Sequence, residues 1–327
     1  MKRREFIKIT GGVAVTWPLA AHAQLPAIDY PTRPITLVVP YAPGGGNDVL
    51  ARGVAEPMSK TLGQRIVIEN HGGAGGSIGT RQVAAAAADG YTLGLGGTGT
   101  LAIDPTLYPN AGYDPRKDFA PVGLIATSPL IILVNPSVPA HNVQELITLA
   151  KSQPSKLSYA SAGTGSGIHL GTVLFATAAG IELTHIPYRG TGPALTDLLG
   201  GHVALYFSSL PSALGLVKDG KLRALGVTGL KRSATFPDVP TVAEQGLPGF
   251  EAVLHYGIVA PARTPRPIID KLNAALREAL SDSSVFNRFA AEGAEPLATT
   301  PEEYAADIDR EETKWSALVK TSGAKAE

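Results

Sequence analysis

From about residue 30 onward, short apolar runs alternate with longer stretches of helical periodicity, and most of the apolar runs end in a glycine-rich loop that opens the next helix. This order points to parallel strands with helices on both faces of a sheet, because a parallel connection needs a crossover long enough to hold a helix. Strands are expected over 35–40, 65–69 and 91–95, and helices over 48–62 and 76–88. In the first helix Val49, Ala51, Val54, Ala55, Met58 and Leu62 fall mostly on one face, and Pro57 is expected to kink or split it. A second alternating set follows: helix 143–151, strand 157–161, helix 169–179, strand 183–187, helix 193–199, strand 203–207, helix 212–218 and strand 223–227. Residues 122–135 and 248–260 read as extended segments, placed where a chain would pass between two α/β blocks. Helices over 265–280, 284–292 and 301–320 end the sequence, with Pro265 and Pro301 at positions where helices start. The fold class is therefore α/β in two lobes, divided as 24–125 and 126–247, with 248–327 returning to the first.

Composition narrows the chemistry. Of 327 residues none is cysteine, which removes disulfides, thiolate metal sites and a cysteine nucleophile. The seven histidines show no ligand-like spacing, so neither a metal nor a cofactor is expected. Lys+Arg and Asp+Glu balance at 28 each. There is no basic stripe of the kind nucleic acid requires, and an anionic ligand has to be held by local groups. The first residues read as an export signal: Lys2-Arg3-Arg4-Glu5-Phe6-Ile7-Lys8, a mildly apolar stretch over 9–19, then Ala21-His22-Ala23 before Gln24. The arginine pair is of the twin-arginine type; an ordinary secretory signal with two incidental arginines is the other reading. Either predicts a periplasmic protein cleaved near Ala23, with no membrane-embedded segment in the mature chain.

The glycine-rich loops sit at the carboxyl ends of the expected strands, where open α/β sheets bind ligands. In the first, Tyr41-Ala42-Pro43-Gly44-Gly45-Gly46-Asn47-Asp48, the glycines let backbone N–H groups approach a bound oxygen and the helix start favours an anion. Tyr41, Gly45 and Gly46 are expected contacts; Asp48 is expected to serve as a cap partnered by Arg52, or to touch the ligand. The second, Asn70-His71-Gly72-Gly73-Ala74-Gly75-Gly76-Ser77, reads as a tight strand-to-helix turn. The third, Gly94-Leu95-Gly96-Gly97-Thr98-Gly99, matches a dinucleotide fingerprint in form only. No convincing helix follows it and no acidic residue stands at the right distance, so Thr98 is kept as a ligand contact without a nucleotide. The fourth, Ser161 to His169, brings Thr164, Gly165, Ser166 and His169 to a helix start and makes the strongest anion cradle of the second block. Tyr188, Arg189 and Gly190 end a further strand, where Arg189 suits a carboxylate, and Phe207 ends the next.

At these loops the sequence resembles the Bug family (Bordetella uptake gene products), extracytoplasmic solute receptors of tripartite tricarboxylate transporters. The resemblance runs over essentially the whole chain. It is carried by the first loop, by Gly72-Gly73-Ala74-Gly75-Gly76-Ser77-Ile78-Gly79-Thr80, Asp89-Gly90-Tyr91-Thr92-Leu93 and Ser161 to Ser166 with His169. His185-Ile186-Pro187-Tyr188, Gly220 to Leu225 and Pro237-Asp238-Val239-Pro240-Thr241-Val242-Ala243-Glu244 extend it. It implies a two-lobed, hinged periplasmic-binding-protein fold (type II, Venus flytrap). The loops at 41–48 and 164–169 would face each other across the cleft, and a carboxylate would be held by backbone amides, hydroxyls and water. Three positions depart from the family pattern: Val173 where Glu is frequent, Ser208 where Asp is frequent, and His255 in place of Trp. Without a carboxylate at 208 an ammonium group loses a partner, so the ligand is expected to be a di- or tricarboxylate or an aromatic acid without an amine.

The reading that follows is a monomeric, non-enzymatic binding protein that delivers a small carboxylate to membrane subunits of a transporter. Two others remain at this stage: a ligand sensor for a signalling partner, and an exported serine hydrolase using Ser166 and His169, although the spacing lacks a nucleophile-elbow motif.

Overall fold

The computed structural model describes residues 29–322 apart from 109 and 292; the export signal expected over 1–23 lies outside the described residues. The first lobe opens with strand β1 (Ile35–Val39), helix α1 (Gly46–Leu62) and β2 (Ile66–Asn70), then α2 (Ser77–Ala84) and β3 (Thr92–Gly97). β1 lies between β2 and β3, parallel to both. Leu50, Val54 and Met58, spaced four apart, are fully buried on α1.

Helix α1 runs through Pro57 without splitting. A proline there leaves the Gly53 carbonyl without its helical donor. Arg288, from a helix near the C-terminus, supplies one: its guanidinium donates to the Gly53 oxygen at 2.7 Å. A tertiary contact thus replaces the missing helical bond.

β3 leads into a π-helix (Thr98–Ile103) and the short α3 (Asp104–Leu107), a helical stretch that the sequence reading does not expect after the third glycine loop. Next comes β4 (Phe119–Val134), sixteen residues long and central to both lobes. Its first part, through Pro129, pairs antiparallel with β9 (Val253–Pro261); from Leu130 it pairs antiparallel with β7 (Leu205–Ser209) and β8 (Arg223–Val227). Pro121 sits beside an irregularity in the β4–β9 ladder, where an absent N–H interrupts least.

The second lobe holds α4 (Val143–Ser152), β5 (Ser158–Ser161), α5 (Gly167–Ala179), β6 (Thr184–Pro187), α6 (Thr191–Leu199) and α7 (Leu210–Lys218). β5 runs parallel to both β6 and β7. The full order, β2-β1-β3-β9-β4-β7-β5-β6, is mixed rather than wholly parallel because the two long connecting strands run against their neighbours. Fully buried Thr228 ties these strands together where they cross between lobes. Its hydroxyl accepts the Leu130 N–H at 2.7 Å and donates to the Ala252 carbonyl at 2.5 Å.

α8 (Arg266–Ser281) packs on α1 and β4, α9 (Ser283–Ala291) follows it, and β10 (Glu295–Pro296) pairs with β4 at Ala126–Thr127. α10 (Pro301–Ser322) buries Tyr304, Ile308, Trp315 and Val319 against the π-helix, α3 and α5. No described helix is long and apolar enough to cross a membrane.

Candidate functional site

The glycine loops after β1, β3, β5 and β6, together with the end of β7, open toward a cleft between the lobes. The cleft is narrow in this structure, with a cavity volume of about 20 Å³. The wall is built from helix starts. Gly46 and Asn47 begin α1, Thr98 and Gly99 begin the π-helix, and Ser166 caps α5 ahead of Gly167 and Ile168. Thr191 begins α6, and Ser209 precedes α7. Tyr41, Leu254 and Tyr256 complete the lining together with Ala162, Gly97 and His255. None of these residues is Lys, Arg, Asp or Glu. The free N–H groups and partial positive charge of the helix starts therefore dominate the potential in the cleft.

The surrounding polar groups are held in neutral form. Burial, with Asp104, Tyr256 and Tyr108 nearby, raises the Tyr41 phenol well above its ordinary pKa. Burial, with Tyr206 nearby, does the same for Tyr256. Behind the fourth loop the His169 and His185 rings stack at 4.1 Å. Burial, with the neighbouring His185, lowers His169 to about 3, and burial lowers His185 to about 4. The Gly165 N–H donates to His169 Nδ1 at 3.2 Å, which fixes an unprotonated nitrogen there. His185 Nε2 lies 2.6 Å from the Ser161 hydroxyl.

The lobes meet closely around the cleft. The Tyr108 hydroxyl donates to the Thr164 carbonyl at 2.7 Å, and the Ala42 N–H to the Arg189 carbonyl at 3.4 Å. Gly75 is at φ +66°, and a Cβ on it would lie 2.2 Å from the Thr164 oxygen. Both its conformation and its contact exclude a side chain. The second glycine loop is thus a contact surface as well as a turn. The 164–169 loop meets Gly75 and Gly99, while the 41–48 loop meets Thr191, Gly190 and Ser209; both border one cleft, but each has a different partner.

Of the residues expected from the sequence, Tyr41, Gly46, Thr98 and Ser166 lie on the wall. Gly45 packs against Thr191 and Gly190 against Ala42, just outside it. Thr164 and Gly165 belong to the contact between lobes, and His169 lies beneath the cradle. Asp48 does not line the cleft. Its carboxylate accepts from the Gly44 N–H at 3.1 Å, from Asn70 at 3.0 Å and from Arg52 at 3.0 Å. Burial works to raise its pKa, but these partners together hold it below the ordinary value. Tyr188 is turned to Asp197 at 2.6 Å, and the Arg189 side chain is exposed away from the wall. Phe207 is a core residue packed against Phe175, because β7 continues two residues past the expected strand end and Ser209 takes the position at the cleft. Asn47, Thr191, Ser209, Leu254 and Tyr256 are wall residues the sequence reading missed; a strand end followed by a helix start was the available signal for Thr191 and Ser209.

Of the three departures from the family pattern, Val173 and Ser208 do not line the cleft, and His255 borders it with its ring turned to Asp307. Val173 packs beside Trp315, and the Ser208 hydroxyl donates to the Ser209 carbonyl at 3.0 Å. Alternation along β9 turns Leu254 and Tyr256 to the cleft and His255 to α10, where Nδ1 lies 2.8 Å from Asp307. Nor do Ser166 and His169 form a nucleophile–base pair. The Ser166 hydroxyl accepts the His169 backbone N–H at 3.2 Å as a helix cap, and the ring nitrogen accepts from Gly165.

A family model described as "Tripartite tricarboxylate transporter family receptor" matches residues 50–324. Protein BugT of Bordetella pertussis is 40% identical over 304 residues, 93% of each chain. A Rhodopseudomonas palustris protein solved with adipate superposes with TM-score 0.88 at 39% identity, covering 91% of this chain and 99% of that one. MatC from Rhodopseudomonas palustris, solved with bound malate, superposes with TM-score 0.85 at 38% identity, covering 89% and 100%.

Proposed function

The chain belongs to the tripartite tricarboxylate transporter receptor family, and from that premise we propose that it is a periplasmic receptor that closes its two lobes over a small dicarboxylate and delivers it to the membrane subunits of such a transporter. The observation that carries the reading is the convergence of four α-helix starts and one π-helix start on a cleft whose lining has no charged side chain. Helix starts on both lobes offer N–H donors to a carboxylate at each end of a short ligand. The hydroxyls of Thr98, Ser166, Thr191 and Ser209 add donors without a fixed charge. An ammonium group would find no carboxylate on this lining, which disfavours amino acids. Adipate and malate in the two Rhodopseudomonas palustris relatives fit the same chemistry.

The test is thermal denaturation of the mature chain, beginning near Gln24, against four- to six-carbon dicarboxylates, aromatic acids, aspartate and glutamate. A ligand at a hundredfold excess over its Kd adds about 2.7 kcal/mol of stability. A melting shift with dicarboxylates and none with the amino acids is the expected result. A shift confined to aspartate or glutamate, or none with any carboxylate, overturns the proposal.

A further inference from the structure

Asp104 opens α3 and is fully buried. Its Oδ1 has no hydrogen-bond partner among the described residues. That oxygen faces the other lobe: a Cβ on Gly165 would lie 2.6 Å from it. The other oxygen, Oδ2, lies 3.1 Å from the Tyr113 hydroxyl. The same hydroxyl lies 2.7 Å from the Thr100 carbonyl, which can only accept. A phenol has one proton, and the two contacts share it. The Thr80 hydroxyl, also at this phenol, gives its own proton to the Gly76 carbonyl at 3.0 Å. Tyr113 therefore gives Oδ2 only a shared donor, since the same proton also serves the closer Thr100 carbonyl, and Oδ1 has none.

The remaining neighbours supply no compensating cation. Tyr41, Tyr108 and Tyr113 are the ionisable groups around Asp104 on its own lobe. The 164–165 loop presents backbone, with the neutral His169 ring behind it. α5 presents Leu170 to this side of α3, and α10 presents Trp315 and Val319. Burial accordingly raises the Asp104 pKa well above the carboxylate range, against a smaller lowering by Tyr113.

We propose that Asp104 couples lobe closure to the uptake of one proton, so that ligand is captured more tightly as the pH falls. When the lobes part, the 164–165 loop withdraws, water reaches Oδ1 and the carboxyl ionises. When they close, the carboxyl is sealed and must regain a proton. The closed-form pKa lies above the open-form value. The coupling is therefore absent below the ordinary carboxylate range, and affinity declines as the pH rises through the interval between the two values. The inference rests on the proposal that closure captures a carboxylate.

Isothermal titration of the mature protein and of Asp104→Asn with malate and adipate, from about pH 5 to about pH 8 in buffers of different ionisation enthalpy, tests it. Asparagine has the shape of the neutral carboxyl, and comparing the two proteins cancels the titration of the diacid itself. The ratio of wild-type to variant Kd is expected to rise with pH, by up to about tenfold per unit. Proton uptake is expected in the wild type and absent from the variant. A constant ratio, or uptake undiminished in Asp104→Asn, overturns the proposal; wild-type binding without uptake does so whether or not the variant folds. If neither diacid binds, the dicarboxylate reading has failed separately. Carbon NMR of aspartate side chains in the ligand-free protein then decides: a resonance missing from Asp104→Asn that titrates within the ordinary carboxylate range is the open form the proposal requires, and one already titrating above that range leaves no proton to be taken up on closure and refutes it.

Discussion

Gly46 allows stability and binding to be moved in opposite directions. It occupies the first position of α1, and its φ is not in the left-handed region. Alanine therefore fits the backbone and restricts the unfolded chain, a change that adds about 0.4–1 kcal/mol at compatible sites. In a protein of this size that raises the melting temperature by about 1–4 °C. Closure, however, brings Ser209 of the other lobe against this position. A Cβ on Gly46 would sit 2.5 Å from Ser209 Oγ and 2.9 Å from Ser209 Cβ, where ordinary contact begins near 3.4 Å. The lobes have to stay apart by close to 1 Å, or the cleft has to repack, at about 1–3 kcal/mol. Because opening relieves the clash, that cost falls on the closed, ligand-bound form. Gly46→Ala is thus expected to melt higher without ligand and to bind the dicarboxylate about 5- to 150-fold more weakly. Thermal denaturation and isothermal titration read the two effects on one preparation. Unchanged affinity would show that the bound form does not use this approach of the lobes. Loss of both binding and stability would show that the helix, not closure, had been damaged.

Two further outcomes follow from the packing. Arg288→Met removes the donor to the Gly53 carbonyl and is expected to cost about 1–3 kcal/mol in urea unfolding. The cost should be smaller in the Pro57→Ala background, where a backbone N–H returns to position 57; an equal cost in both backgrounds refutes the link. The stacked His169 and His185, lowered from 6.5 to about 3 and about 4, are neutral in the fold, so the unfolded chain binds their protons first. Their contribution to stability is complete above about pH 6.5 and is lost as the pH falls toward those folded values. Denaturation midpoints should decline between about pH 6.5 and about pH 4.5, and less steeply in His169→Asn, which keeps an acceptor near the Nδ1 position. A flat wild-type profile is the contrary result.

The amino-acid sequence alone determined the order of most strands and helices and the glycine loops at strand ends. These follow from local hydrophobic period and turn chemistry, which need no distant partner. Helix starts were the weak point. α5, α6 and α7 each begin two residues before their apolar periodicity, because the first turns, Gly167, Thr191-Gly192 and Leu210-Pro211, carry no helical stripe. Those turns are where Gly167, Thr191 and Ser209 line the cleft. The π-helix at Thr98–Ile103 was equally invisible, since its glycine-rich sequence has low helix preference and α10 and Tyr113 hold it from outside. Only the tertiary structure decided that Asp48 holds a loop, that Phe207 is core, that Arg288 completes the helix interrupted at Pro57 and that Asp104 is sealed between the lobes. Each depends on which distant backbone or side chain arrives within a few ångströms, and local periodicity carries no information about that.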